Sequence, residues 1–236
     1  MSLNGLARWW RRWRATAAGA GESAKGTVVS DEFDKPFWEE HYRGHAPAGA
    51  RQPNAQLVAE AGELAPGRAL DAGCGEGAEA IWLAGRGWQV TAVDISTAAL
   101  DRAAGHARAL GDGIAGRIDW VQADLTGWTP SGEPFDLVCT HYVHTTEPPE
   151  ALFRRLAGAV APGGTLLVVG HHPAAPGTTS PHSPAPGVHV TAEEVAALFD
   201  PDRWDIVVAG ARTRTVSHGG RTSTLRDTVL RARRRP

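Results

Sequence analysis

A chain of 236 residues is long enough to bury a full α/β core. Its 42% hydrophobic and 21% charged residues describe an ordinary folded protein, and a net charge of −2 removes any global electrostatic case for a nucleic-acid partner. Neither cysteine, Cys74 or Cys139, has metal-ligand spacing or points to an oxidising compartment, and no apolar run approaches the ~18 residues of a membrane span, so a cytoplasmic location is expected.

The first 30 residues stand apart. Leu3, Leu6, Trp9, Trp10 and Trp13 recur at helical spacing between Arg8, Arg11, Arg12 and Arg14, followed by a flexible tether over residues 17–26. A basic amphipathic arm of this kind covers an apolar patch of its own domain or of a dimer mate; a peripheral membrane or protein contact is the alternative. It lacks the apolar stretch of a secretory signal. The expected organisation is an arm at 1–30, one folded domain at 31–232 and a solvated basic tail at 233–236, with Arg231 also in solvent.

Phe33, Phe37, Trp38 and Tyr42 form an aromatic-rich helical segment, and Pro53 opens a helix that runs to Leu64. Strands are expected at Arg68–Asp71, Gln89–Asp94, Ile118–Val121, Phe135–Thr140 and Thr165–Gly170, with helices at about 77–86, 97–110 and 150–160 between them. The strands are continuous apolar runs, which places helices on both faces of a parallel sheet. A Pro-, Gly-, Ser- and His-rich loop spans 171–189, and its part from Pro173 to Gly187 is expected to be a lid. A helix at Thr191–Phe199 and strands at Trp204–Val208 and Thr224–Leu230 close the pattern.

The densest signal is Asp71-Ala72-Gly73-Cys74-Gly75-Glu76-Gly77 at the end of the first strand. Glycine admits positive φ and close backbone approach, so this is a strand-to-helix ligand loop. Gly73-x-Gly75-x-x-Ala78 fits a loose dinucleotide fingerprint, whereas Asp71-x-Gly73-x-Gly75-x-Gly77 resembles motif I of the class I S-adenosylmethionine (SAM) dependent methyltransferases. Charge separates the two: Asp71 would face an anionic pyrophosphate in one case and a sulfonium and ammonium in the other.

The resemblance extends over about residues 33–232. It implies a seven-stranded, mostly parallel Rossmann-like methyltransferase sheet with helices on both faces and an antiparallel last strand. It also implies SAM as cofactor and S-adenosylhomocysteine (SAH) as product. Asp94, 23 residues after Asp71, matches the family's acid on the ribose hydroxyls, with Ile95 against adenine. Asp124-Leu125 matches the position that reads the adenine amino group. Phe37-Trp38-Glu39-Glu40-His41-Tyr42 together with the glycine loop is similar to the tellurite-resistance and thiopurine methyltransferase-like group, which implies a small-molecule acceptor and a cofactor contact from Tyr42. Plain core packing is the other reading of Trp38 and Tyr42.

Methyl transfer from a sulfonium needs alignment and water exclusion, and a general base only where the acceptor holds its proton. The candidates gather at the carboxyl ends of strands: Thr140, His141, Tyr142 and His144 after the fourth, His171 and His172 after the fifth. Thr140 is assigned to the cofactor, His141 is the first choice of base and His171 the second. Wall or supporting roles are the bland reading of each histidine. No metal is expected, because the imidazoles lack a tight ligand pair. No nucleic acid is expected either, since the tetrad of amino-directed nucleic-acid enzymes is absent after the fourth strand. An oxidoreductase using NAD(P) and a non-catalytic SAM-binding partner subunit are the rival functions.

Overall fold

A computed structural model describes residues 33–44, 52–130, 132–173, 190–218 and 221–236. The amphipathic arm, its tether and residues 174–189 of the long loop lie outside the described residues.

Seven strands form one sheet in the order β3-β2-β1-β4-β5-β7-β6, with β1 Arg68–Ala72, β2 Gln89–Asp94, β3 Ile118–Gln122, β4 Phe135–His141, β5 Val160–His171, β6 Trp204–His218 and β7 Arg221–Arg234. The pairs among β1 to β5 are parallel, and β7 runs antiparallel to both β5 and β6. The helices are α1 Lys35–Gly44, α2 Ala55–Ala61, α3 Ala78–Gly85, α4 Thr97–Ala109, α5 Asp112–Ala115, α6 Pro149–Gly158 and α7 Ala192–Ala196.

Strand alternation sorts the core into two layers. Ala69, Leu137, Cys139, Leu167 and Val169 pack with Leu57 of α2, Leu83 of α3 and Leu100 of α4. Their neighbours Leu70, Val138, Leu166 and Val168 pack on the other face with Leu152, Phe153 and Leu156 of α6. Side-chain caps fix three helix starts. Asn54 accepts from Gln56 N, Ser96 from Ala99 N, and Thr191 forms a reciprocal capping box with Glu194.

Several boundaries differ from the sequence reading. The second helix begins after the Asn54 cap, so Pro53 precedes it rather than opening it. Residues 160–164 belong to β5 rather than to a helix end and a turn, because Phe135 pairs with Val160 across a register shift. The last two strands are much longer than expected and form one hairpin of 15 and 14 residues. That hairpin absorbs most of the expected basic tail. Arg231, Arg233 and Arg234 lie in β7, Arg231 pairs with Glu60 at 3.5 Å, and Arg234 donates to Val160 O at 2.5 Å. No helix among the described residues is long and apolar enough to cross a membrane.

Candidate active site

The carboxyl ends of β1, β2 and β4 open into a cleft of about 650 Å³, within the usual range for a small-molecule site. Its floor is the loop between β1 and α3. Gly73 N and Cys74 N donate to Val93 O at 2.8 and 3.0 Å, which folds the loop onto β2. Gly73 adopts φ +78°, and a Cβ there would lie 1.9 Å from Val143 Cγ2, so only glycine fits. Gly75 and Gly77 also have positive φ. A Cβ on Gly75 would approach the Tyr42 hydroxyl at 2.8 Å, whereas one on Gly77 would strike Trp120 and Ala103. Gly73 and Gly75 therefore line the cleft, while Gly77 is the close-packing point at the start of α3.

Carboxylates crowd this end. Asp94 is 7% exposed and accepts from Gly75 N at 2.8 Å and Ser96 N at 2.9 Å, pinning the glycine loop to the entry of α4. Glu79 accepts from Asn54 N at 3.0 Å, and Glu76 binds Arg102 at 2.9 Å. Asp71 lies beneath the loop, 1% exposed, and its Oδ2 has no hydrogen-bond partner. Burial, reinforced by the Glu79 and Asp94 carboxylates, pushes the Asp71 carboxyl well above its usual range. Burial likewise raises Asp94 against the N–H groups that favour its ionised form. Such a set suits a ligand that brings positive charge and opposes an anionic pyrophosphate.

The adjoining wall is built from β4 and its extension. His141 lines the cleft with both ring nitrogens unpartnered; its Nδ1 lies 4.0 Å from Asp71 Oδ1. Burial holds its imidazole below the ordinary range, with Glu79 opposing. Tyr142 and His144 also line the cleft, as do Trp38 and Tyr42 of α1 and Arg214 of β6. Helix α1 is fastened by Glu39, whose carboxylate accepts from Thr97 N at 2.8 Å and Ala98 N at 3.3 Å at the start of α4.

The remaining sequence candidates are placed differently. Thr140 is 2% exposed, and its hydroxyl donates to Ala72 O at 2.9 Å, tying β4 to β1. Asp124 is exposed and turns back to accept from Thr126 N and Oγ1, while the adjacent Leu125 lines the cleft. Ile95 is half-buried, and its carbonyl accepts from Gln122. His171 stacks on Tyr142 at 4.5 Å and is not among the residues lining the cleft. Asp136 accepts from Arg68 N at 2.8 Å at the far edge of the sheet. Asn54, Glu79 and Arg214 were not singled out from the sequence.

Asp71, Cys139 and His141 bring three ligand-type atoms within 4.8 Å of one another. Burial raises both the carboxyl and the thiol, and a metal needs both deprotonated. The site chemistry therefore favours proton retention over a metal at this trio.

Residues 69–164 match the family model described as a methyltransferase domain. A trans-aconitate 2-methyltransferase of Streptomyces avermitilis is 36% identical over 140 residues, which cover 56% of this chain and 49% of that protein. Other curated relatives include ribosomal RNA small subunit methyltransferases, and the chain spans half or less of the length of the first relatives it matches. Among solved structures, one described by the conversion of a disulfide bond into a thioacetal group during echinomycin biosynthesis aligns with TM-score 0.63 and 25% identity. That alignment covers 85% of this chain and 92% of the other. TehB from Haemophilus influenzae shares the fold, with TM-score 0.61 at 15% identity over 84% of this chain and 67% of its own. The sheet order, the glycine loop and the matched stretch agree: residues 69–164 form a methyltransferase domain, and the chain is similar to SAM-dependent methyltransferases.

Proposed function

We propose that the protein transfers the methyl group of SAM to a nitrogen, oxygen or sulfur atom of a small-molecule acceptor in the cytoplasm. The observation that carries this reading is the convergence of Asp71, Glu79 and Asp94 around the glycine loop, with Glu79 and Asp94 lining the cleft. When bound, SAM supplies an electrophilic methyl on a sulfonium. The chain's own residues bind, orient and exclude water.

Gly73 and Gly75 would let the cofactor approach the backbone, and the Asp94 carboxylate, already oriented by two N–H groups, would accept from the ribose hydroxyls. Leu125 would pack on the adenine and the Glu79 carboxylate would face the ammonium, with Asp71 beneath the loop supporting that acidic lining. Trp38 and Tyr42 line the cleft from α1 and shed water from it. His141, kept neutral by burial, takes the acceptor's proton at a ring nitrogen.

A cleft of about 650 Å³ framed by α1 and the end of β4 supports a small acceptor over an extended RNA surface. The test is calorimetric titration with SAM, SAH and NADH, followed by turnover on a panel of small amines, phenols, thiols and carboxylic acids. Micromolar binding of SAM and SAH with no NADH binding, then turnover on a panel member, is the expected result. NADH binding in place of SAM would overturn the reading, and SAM binding without turnover would favour a non-catalytic partner subunit.

A further inference from the structure

The cleft contains a charged arrangement that the proposed reaction does not use. Arg214 is the one guanidinium or ammonium group among the described residues lining the cleft. Its Nε donates to both carboxylate oxygens of Asp227, at 2.9 and 3.1 Å, and Asp227 is fully buried on β7. The guanidinium carbon lies 5.2 Å from the centre of the Tyr142 ring. Tyr142 is in turn held from two sides: Asn54 Nδ2 donates to its hydroxyl at 3.0 Å, and His171 stacks on its ring at 4.5 Å.

Stability alone is a poor explanation of this arrangement. An ion pair with one fully buried partner is weak evidence for stability, because the Asp227 carboxylate loses its hydration while Arg214 keeps 23% of its side chain exposed. Tyr142 also carries φ +53°, a left-handed conformation that costs a non-glycine residue roughly 1–2 kcal/mol. Two costly features therefore meet at one point of the cleft wall. Together they hold a planar, permanently charged fork in one orientation, with its Nε side already engaged by Asp227. A fork of this kind matches a carboxylate, which it can engage through paired N–H donors.

We propose that Arg214, clamped by Asp227 over the Tyr142 ring, is the carboxylate-binding group of the cleft. This rests on the methyl-transfer reading of the cleft, and it leaves two sources for the carboxylate: the amino-acid portion of SAM, or the acceptor. Glu76, Glu79 and Asp94 supply the acidic lining of the same cleft, in which Arg214 is the cationic group.

The experiment compares wild type with Arg214→Gln in two sets of calorimetric titrations. The first uses SAH and 5′-methylthioadenosine, which keeps the adenosine and sulfur but lacks the amino-acid carboxylate. The second uses benzoate, trans-aconitate and the uncharged benzamide, with and without saturating SAH. A cofactor carboxylate predicts at least a tenfold loss of SAH affinity with methylthioadenosine unchanged. An acceptor carboxylate predicts unchanged SAH affinity and at least a tenfold loss for benzoate or trans-aconitate, with wild type preferring benzoate to benzamide. If neither the SAH nor the carboxylate affinities change in the variant, or every affinity falls alike, the proposal is overturned. Wild type that binds no SAH would instead remove the methyl-transfer reading, which the first titration reports independently of Arg214. Should Arg214→Gln lose its cooperative melting transition, Arg214→Lys, which keeps the charge but lacks the fork, is read by the same criteria.

Discussion

The two ends of the cleft are assembled in different ways. The acidic end comes from a single β-α-β run, in which Asp71, the glycine loop, Glu79 and Asp94 lie within 24 consecutive residues. The adjoining end draws Asn54 from the cap of α2, His141 and Tyr142 from the end of β4, and Arg214 and Asp227 from the hairpin. The first is a local device whose geometry follows from glycine conformations and backbone hydrogen bonds. The second exists only because β4, β5, β7 and β6 lie side by side in that order. A local device is suited to a ligand shared across a family, and a non-local one can change with one strand or loop while the first stays intact.

The most severe way to break the acidic end is Gly73→Ala. The side chain would meet Val143 and be forced into the left-handed region, at roughly 1–2 kcal/mol for the conformation alone. We expect SAH affinity to fall more than a hundredfold by calorimetry, with a lower melting temperature. Asp71→Asn separates ligand binding from stability. It removes a carboxyl whose burial penalises ionisation, so the ligand-free protein should melt no lower than wild type at neutral pH while SAH affinity falls at least tenfold. The sign of the pH dependence follows from the raised carboxyl. Its folded-state penalty is absent below the usual carboxylate value near 3.8 and grows as pH rises from there towards the folded value. The stability gap between variant and wild type should therefore close as pH is lowered.

At the adjoining end the effects fall on turnover. His141→Gln should lower kcat by roughly a hundredfold on an acceptor that needs deprotonation, with SAH binding within a fewfold of wild type. Because burial depresses the imidazole, the wild-type rate should decline only as pH falls below about 6.5, and that acid limb should vanish in the variant. A pH–rate profile that keeps the limb in His141→Gln would assign the base elsewhere. The smallest effect expected is that of Glu39→Ala. It removes the carboxylate joining α1 to the start of α4, at about 1 kcal/mol of stability, the usual magnitude for a helix cap. Burial opposes ionisation of Glu39, but the Thr97 and Ala98 N–H groups and Arg43 outweigh it and hold the carboxyl below its usual value. Its contribution is therefore present above pH 4.5 and is lost as pH falls through the folded value. Thermal melts at pH 7 and pH 4 check it.

Thr140 and Asp124 are engaged within the protein itself. Each occupies the expected place in the chain, yet Thr140 spends its hydroxyl on Ala72 O and Asp124 closes its own turn with Thr126. Neighbouring side chains, Leu125 beside Asp124 and His141 beside Thr140, line the cleft instead. Thr140 and His141 are consecutive in β4, so their side chains point to opposite faces and only His141 lines the cleft. The bounds of β2 and the start of α4 were legible because Gln89-Val90-Thr91-Ala92-Val93 is a continuous apolar-rich run and Ser96 supplies a cap. The extent of β6 and β7 was not, since threonine and arginine pair along the hairpin without an apolar signature.

By itself the sequence determined the acid–glycine loop, the β-α alternation and the matched cofactor class, because each is encoded by adjacent residues whose φ preferences, caps and apolar periodicity act locally. Tertiary structure alone decided that His141 lies 4.0 Å from Asp71, that Arg214 reaches the cleft, and that Asp227 holds it there. Those placements depend on the register between strands far apart in the chain, and no short-range pattern carries that information.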